Sequence, residues 1–269
     1  MRKPALFITV LVFFLTAVGH GGSGGSLSDC NRADYDIYLG YYTENEKANP
    51  EDPTSGLLVA CMPSSSGTFK TQFLFSYYGC MGGIDYGTVN GSRTKDRVGG
   101  TWSGTVDGVG IGGGFNGSWD GAKFSGIWDN RGGKVRVQVG SCRYYVAPNG
   151  HWWLYPLNSD EGGLNISVSG RPPQISWNNT ISGVKGFLIS VYDKRCVYNK
   201  ISLAHCTMWA LGCVNVINSI HYGTTPLGCM VFYPAKPLKS NLGYIISITA
   251  YGSSQSDVKA FATKVFTAP

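Results

Sequence analysis

Gly100-Thr-Trp-Ser-Gly-Thr-Val-Asp-Gly108, Phe115-Asn-Gly-Ser-Trp-Asp-Gly121 and Phe124-Ser-Gly-Ile-Trp-Asp129 are variants of one short phrase. On a strand alternate residues share a face, so Phe115, Gly117 and Trp119 point one way, as do Phe124, Gly126 and Trp128. Each strand then offers aromatic, gap, aromatic on a single face. A glycine between two large rings leaves room for a ring from the neighbouring strand, a packing device for an antiparallel meander or small barrel. Downstream, Val135, Val137 and Val139 alternate with Lys134, Arg136 and Gln138, which predicts a further strand with one face buried and one wet. Asp107-Gly108, Asp120-Gly121 and Asn130 to Gly133 carry the turn chemistry that hairpins use.

Composition agrees with this reading. Of 269 residues, 14 % are charged and 38 are glycine, which disfavours long solvated helices and coiled coils. Hydrophobic residues at 43 % and aromatics at 13 % supply enough apolar surface to exclude disorder. The length suits two domains better than one.

The chain opens with Met1-Arg2-Lys3, an apolar run from Ala5 to Val18, and the small-x-small site Ala17-Val18-Gly19. These read as a secretory signal peptide over 1–19, followed by a Gly/Ser linker over 20–29. The leader resembles those of bacterial lipoproteins, but Val18 follows Leu15-Thr16-Ala17 where the lipid-bearing cysteine would stand. No membrane span is expected once the leader is removed, and the expected location is secreted, periplasmic or cell-surface. Without residues 1–19 the chain has 20 basic and 16 acidic side chains, a formal charge of +4. With no basic run in view, nucleic acid is not an expected partner.

An exported chain normally oxidises its cysteines. Here Cys30, Cys61, Cys80 and Cys142 precede residue 158, while Cys196, Cys206, Cys213 and Cys229 follow it. If each half is a domain, pairing stays within halves and nine connectivities remain. A zinc site from His205, Cys206, Cys213 and His221 lacks any Cys-x2-Cys spacing, and no cofactor is expected.

After Tyr155-Pro156 the glycine density falls and strands are expected at Ile175–Trp177, Phe187–Tyr192, Tyr244–Tyr251 and Lys259–Phe266. Pro172-Pro173 lead into Trp177, Tyr192 closes the next strand, and Leu238-x5-Tyr244 precedes alternating Ile246, Ile248 and Ala250. On these positions the half from about 164 to 269 resembles a fibronectin type III or related immunoglobulin-like sandwich. The resemblance implies a structural role for Trp177 and makes Leu238 and Tyr244 a tyrosine corner. Residues 194–237 exceed what such a module needs and hold all four late cysteines, which suggests a disulfide-stapled insertion. Within it Leu203–Leu211 is read as a short helical turn and Val214–Ile220 as a strand. The expected fold class is therefore all-β: a Gly/aromatic-rich meander or small barrel over 30–157, then the sandwich over 158–269.

No catalytic signature is present: no nucleophile elbow, phosphate loop, dinucleotide fingerprint or His-Glu-x-x-His. Asp107, Asp120, Asp129, Asp160 and Glu161 could in principle supply the carboxylate pair of a glycan-cleaving enzyme. Aromatic doublets are the more informative candidates, because an outward Tyr or Trp offers a flat apolar face with a polar edge for a sugar ring or protein partner. They nominate Tyr78, Tyr145, Trp152 and Trp153 as binding residues. Asn90, Asn116, Asn165 and Asn178 begin Asn-x-Ser/Thr sequons and are read as turn or edge residues. The functional expectation is an exported, non-catalytic binding protein for a glycan or protein partner. The alternatives are a structural or assembly component of a surface structure, for which an oligomer is an open expectation, or a secreted glycan-cleaving enzyme.

Overall fold

A computed structural model describes residues 30, 33–45, 55–77, 83–106, 109–139, 142–160, 163–178, 180–200, 203–214, 217–254 and 256–269. The leader, the linker, Asp107-Gly108 and Glu161 lie outside the described residues, as do Tyr78 and Cys80. Ten strands make up the first half: β1 (Tyr35–Glu44), β2 (Ser55–Pro63), β3 (Gly67–Tyr77), β4 (Gly83–Thr94), β5 (Arg97–Val106), β6 (Val109–Trp119), β7 (Phe124–Asp129), β8 (Val135–Val139), β9 (Cys142–Val146) and β10 (Asn149–Pro156). Eight of them close into an antiparallel barrel in the order β1-β10-β7-β6-β5-β4-β3-β2, while β8 and β9 form a separate hairpin.

The aromatic-and-gap phrase works as expected inside this barrel. One ring of cross-strand neighbours runs Phe69, Gly91, Gly100, Phe115, Trp128, Gly150, and the next runs Val98, Gly117, Gly126, Trp152, Tyr42. A Cβ at Gly91 would lie 2.5 Å from Phe69 Cζ and 2.9 Å from Phe115 Cζ, and one at Gly150 would lie 2.6 Å from Trp128 Nε1. Large rings thus occupy the places that glycine vacates. The indoles also satisfy their N–H groups across strands: Trp102 donates to Asp129 O, Trp128 to Thr43 O and Trp152 to Ile127 O. A barrel filled in this way is a packed core.

Asp120-Gly121 is the β6–β7 turn, with Gly121 at φ +102°. Asn130–Gly133 corrects the sequence reading. It carries the chain out of the barrel into the β8–β9 excursion, and β7 instead pairs with β6 and β10.

The second half contains β11 (Ile166–Ser169), β12 (Gln174–Trp177), β13 (Gly186–Asp193), α1 (Lys194–Lys200), α2 (Leu203–Cys206), β14 (Thr207–Cys213), β15 (Ser219–His221), β16 (Cys229–Tyr233), β17 (Gly243–Tyr251) and β18 (Val258–Thr267). Its two sheets, β11-β12-β15 and β16-β14-β13-β17-β18, form a β-sandwich around Trp177, Phe187, Ile189, Trp209, Leu211 and Ile248. The Tyr244 hydroxyl accepts a 2.8 Å hydrogen bond from Lys239 N, five residues upstream.

The stretch 194–237 is less foreign than its length suggests, because β14 and β15 are regular members of the two sheets. The additions are α1 and α2, closed by Cys196–Cys206, and β16, joined to β14 by Cys213–Cys229. Asp193 starts α1 by accepting a hydrogen bond from Cys196 N, an N-cap contact. The helical turn ends at Cys206, where Thr207 begins a strand pairing with β13. The strand expected from Val214 is only Ser219–His221. A third described disulfide joins Cys30 to Cys61, so all three lie within halves. Cys142 stands on β9.

Barrel and sandwich share a third apolar core. Ile37, Leu39, Tyr41, Val59 and Tyr155 from the outside of β1, β2 and β10 meet Tyr192, Val197, Leu203, Ile245 and Phe261. Tyr41 lies 5.6 Å from Phe261 and Tyr155 lies 5.2 Å from it, ring centre to ring centre. Backbone joins the two bodies as well: Thr263 N donates to Ser159 O, and Val265 N to Asn158 Oδ1. Asn158, at φ 64°, makes the turn that brings the chain back along β18.

Candidate functional site

The nominated aromatics part company in the structure. Trp152 is 4 % exposed inside the barrel, edge-on to Phe115, and offers no face to a ligand. Trp153 points outward but is half-buried beside the sandwich, stacked on Tyr41 at 4.8 Å. Adjacent strand residues do face opposite sides, but here the outer side is covered by the second domain. Tyr145 alone among the described nominees stands among charged neighbours away from the cores. It sits on β9 opposite Arg136, with the Lys134 ammonium 4.3 Å above its ring.

The described carboxylates, Asp120, Asp129 and Asp160, do not converge on a reaction centre. Asp120 belongs to the β6–β7 turn, and amide hydrogen bonds from Ala122 above all, then from Lys123, hold its carboxyl below the usual carboxylate range. That is the opposite of what a general acid needs. Asp129 sits at the far end of β7 and accepts from Gly114 N, while Asp160 makes an isolated bridge to Ala262. Cys206 and Cys213 commit their sulfurs to disulfides, so the histidine–cysteine zinc set cannot assemble.

What sequence reading missed is the outer face of β3 to β7. Thr68, Lys70, Asn90, Ser92, Thr101, Ser103, Asn116 and Ser118 are exposed there. Along β3 to β6 the described apolar side chains Phe69, Val98, Trp102 and Ile111 are buried in the barrel core. Among the described residues no helix is long and apolar enough to cross a membrane. On this face an open depression of about 580 Å³ is rimmed by Thr68, Lys70, Asn90, Ser92 and Thr101, over a floor that includes Gly91, Gly99 and Gly100. Gly99, opposite Ser92, is the outward position that lacks a side chain, while Gly91 and Gly100, opposite each other, belong to the inward-facing set and bring only main chain to the floor. The available signal was the polar alternation Thr88, Asn90, Ser92 on β4, which is easily passed over as ordinary solvated surface.

Neither the family models, nor the curated proteins, nor the solved structures contain a match to this chain.

The functional inference therefore depends on site geometry alone. The depression offers amide and hydroxyl groups that both donate and accept, one ammonium, and main chain within reach where glycine exposes it. The same face displays the sequon residues Asn90 and Asn116, and Asn165 and Asn178 are exposed on the sandwich.

Proposed function

We propose that this chain is an exported, non-catalytic binding protein that recognises a glycan or a protein partner at the cell envelope, with the polar outer face of the barrel as its contact surface. The observation that carries the reading is the glycine-floored depression rimmed by Thr68, Lys70, Asn90, Ser92 and Thr101. Glycan hydroxyls need groups that donate and accept at once, and these residues provide them around a floor where a ring can approach backbone. Three described disulfides fit an oxidising location. The sheet order of the sandwich and the Tyr244–Lys239 bond support the resemblance to fibronectin type III modules.

The test is glycan-array binding of the secreted protein beside an Asn90→Ala/Thr101→Ala variant. Loss of about tenfold or more in affinity at unchanged melting temperature is expected. A wild type that binds no glycan and no envelope protein overturns the reading, and a variant that binds equally well removes this face from it.

A second reading, assembly into a surface structure, is favoured by one feature. Val214, Leu227 and Met230 are exposed around the Cys213–Cys229 bridge at the edge of the five-stranded sheet. Self-association that Leu227→Lys abolishes would support it.

A further inference from the structure

The β8–β9 hairpin has a charge pattern that the barrel face does not share. Residues 130–149 contain Arg131, Lys134, Arg136 and Arg143 and no aspartate or glutamate. Four positive charges match the whole formal charge of residues 20–269. Valines separate them in sequence, so no basic run is visible. In the fold two of them, Lys134 and Arg136, stand beside Tyr145. In the hairpin register Arg136 stands opposite Tyr145, and cross-strand partners share a face. Lys134 and Arg136, two positions apart, are separated by roughly 7 Å along the strand.

The hairpin is also anchored. Val135 and Val146, paired across it, pack against the barrel core, which leaves the Lys134–Arg136–Gln138 side outward. Arg131, Lys134, Arg136 and Gln138 are exposed. Lys259, for comparison, pairs with Asp257 at 2.7 Å. Lys134 instead rests over the Tyr145 ring, and no ion pair with a described carboxylate is made by Lys134 or Arg136.

We infer that the outward face of the β8–β9 hairpin is a second binding site, for an anionic polysaccharide bearing carboxylate or sulfate groups. Cations spaced along a two-stranded ribbon meet a polymer whose charges repeat along an extended chain, and guanidinium groups match carboxylate and sulfate geometry through paired N–H donors. Tyr145 adds an aromatic surface beside them, on which the C–H face of a sugar ring can rest. An acidic peptide would use the cations but has no sugar face to set against the ring. The site differs from the barrel-face depression and does not rest on it.

The test titrates the secreted protein with dextran sulfate, polygalacturonate, neutral dextran and poly-glutamate by calorimetry. The two anionic polysaccharides bind, with affinity that falls as salt rises, while neutral dextran does not. Lys134→Ser/Arg136→Ser weakens binding roughly tenfold or more, and Lys134→Arg/Arg136→Lys keeps it. Asn90→Ala/Thr101→Ala leaves polyanion binding unchanged, which separates this site from the barrel face. The inference is overturned if neither anionic polysaccharide binds or if the serine variant binds like wild type. It is overturned equally if poly-glutamate binds as tightly as polygalacturonate, which would point to an acidic protein partner.

Discussion

A methyl group added at Gly117 would come within 2.8 Å of Trp152 Cη2 and closer still to Ser125 O, with the strands already hydrogen-bonded on both sides. Gly117→Ala is therefore expected to cost about 1–3 kcal/mol through overpacking. Gly110→Ala, whose Cβ meets nothing within 4 Å, should stay within about 0.5 kcal/mol. Urea midpoints of the two variants at unchanged m-value check this, and equal midpoints would contradict the ring-over-glycine account. Tyr244→Phe removes the acceptor of Lys239 N and should cost about 1–3 kcal/mol, read by the same titration. At this scale the sequence was most legible. Phe115-x-Gly117-x-Trp119 states which side of the strand is inside, because only a filled interior needs gaps beside rings. The fate of Trp153 was not legible, since an outward ring looks the same whether water or a second domain lies beyond it.

The element least visible in the sequence is the seam between barrel and sandwich. β17 and β13 are buried on both faces, yet their seam-side residues Ser190, Ser247 and Thr249 read as wet positions of an ordinary half-exposed sheet. Small polar residues suit a close approach between two bodies, and Ser247 finds the Tyr192 hydroxyl at 3.5 Å. Phe261 anchors the seam, so Phe261→Ala should leave a cavity beside Tyr41 and Tyr155 and cost about 3–5 kcal/mol. Thermal unfolding of that variant checks the cost, and a shift as small as that of a surface substitution would contradict burial. The strands Ile175–Trp177, Phe187–Tyr192, Tyr244–Tyr251 and Lys259–Phe266 were readable from alternation and β-branched content. The β8–β9 excursion was not, because a strand with one apolar face looks alike in a barrel wall and in a hairpin laid over its end. The depression on β3–β5 was hidden for a related reason: its rim comes from residues in register on different strands, and register is a property of the folded pair.

For the molecule as a whole, the cores are rich in tyrosine, and this sets its response to alkali. Burial pushes the phenols of Tyr41, Tyr42, Tyr155 and Tyr192 above the ordinary range, and that of Tyr222 up to about 12. A raised folded-state value means that the unfolded chain loses its protons first. The stabilisation is complete below about pH 10 and is lost as pH rises from there towards the folded-state values. Phenolate absorbance should show an early component from exposed tyrosines and a late cooperative step that coincides with loss of near-ultraviolet circular dichroism. Ionisation of every tyrosine near pH 10 in a folded protein would contradict the packing. Because the third core takes residues from both halves, including the Cys30–Cys61 and Cys196–Cys206 bridges, neither half has a complete surface without the other. Large aromatics from both halves build this shared interior. Differential scanning calorimetry of the oxidised protein tests that most directly. One endotherm with a calorimetric-to-van't Hoff enthalpy ratio near one is predicted. Two resolved transitions, or a ratio near two, would show barrel and sandwich unfolding independently and would contradict it.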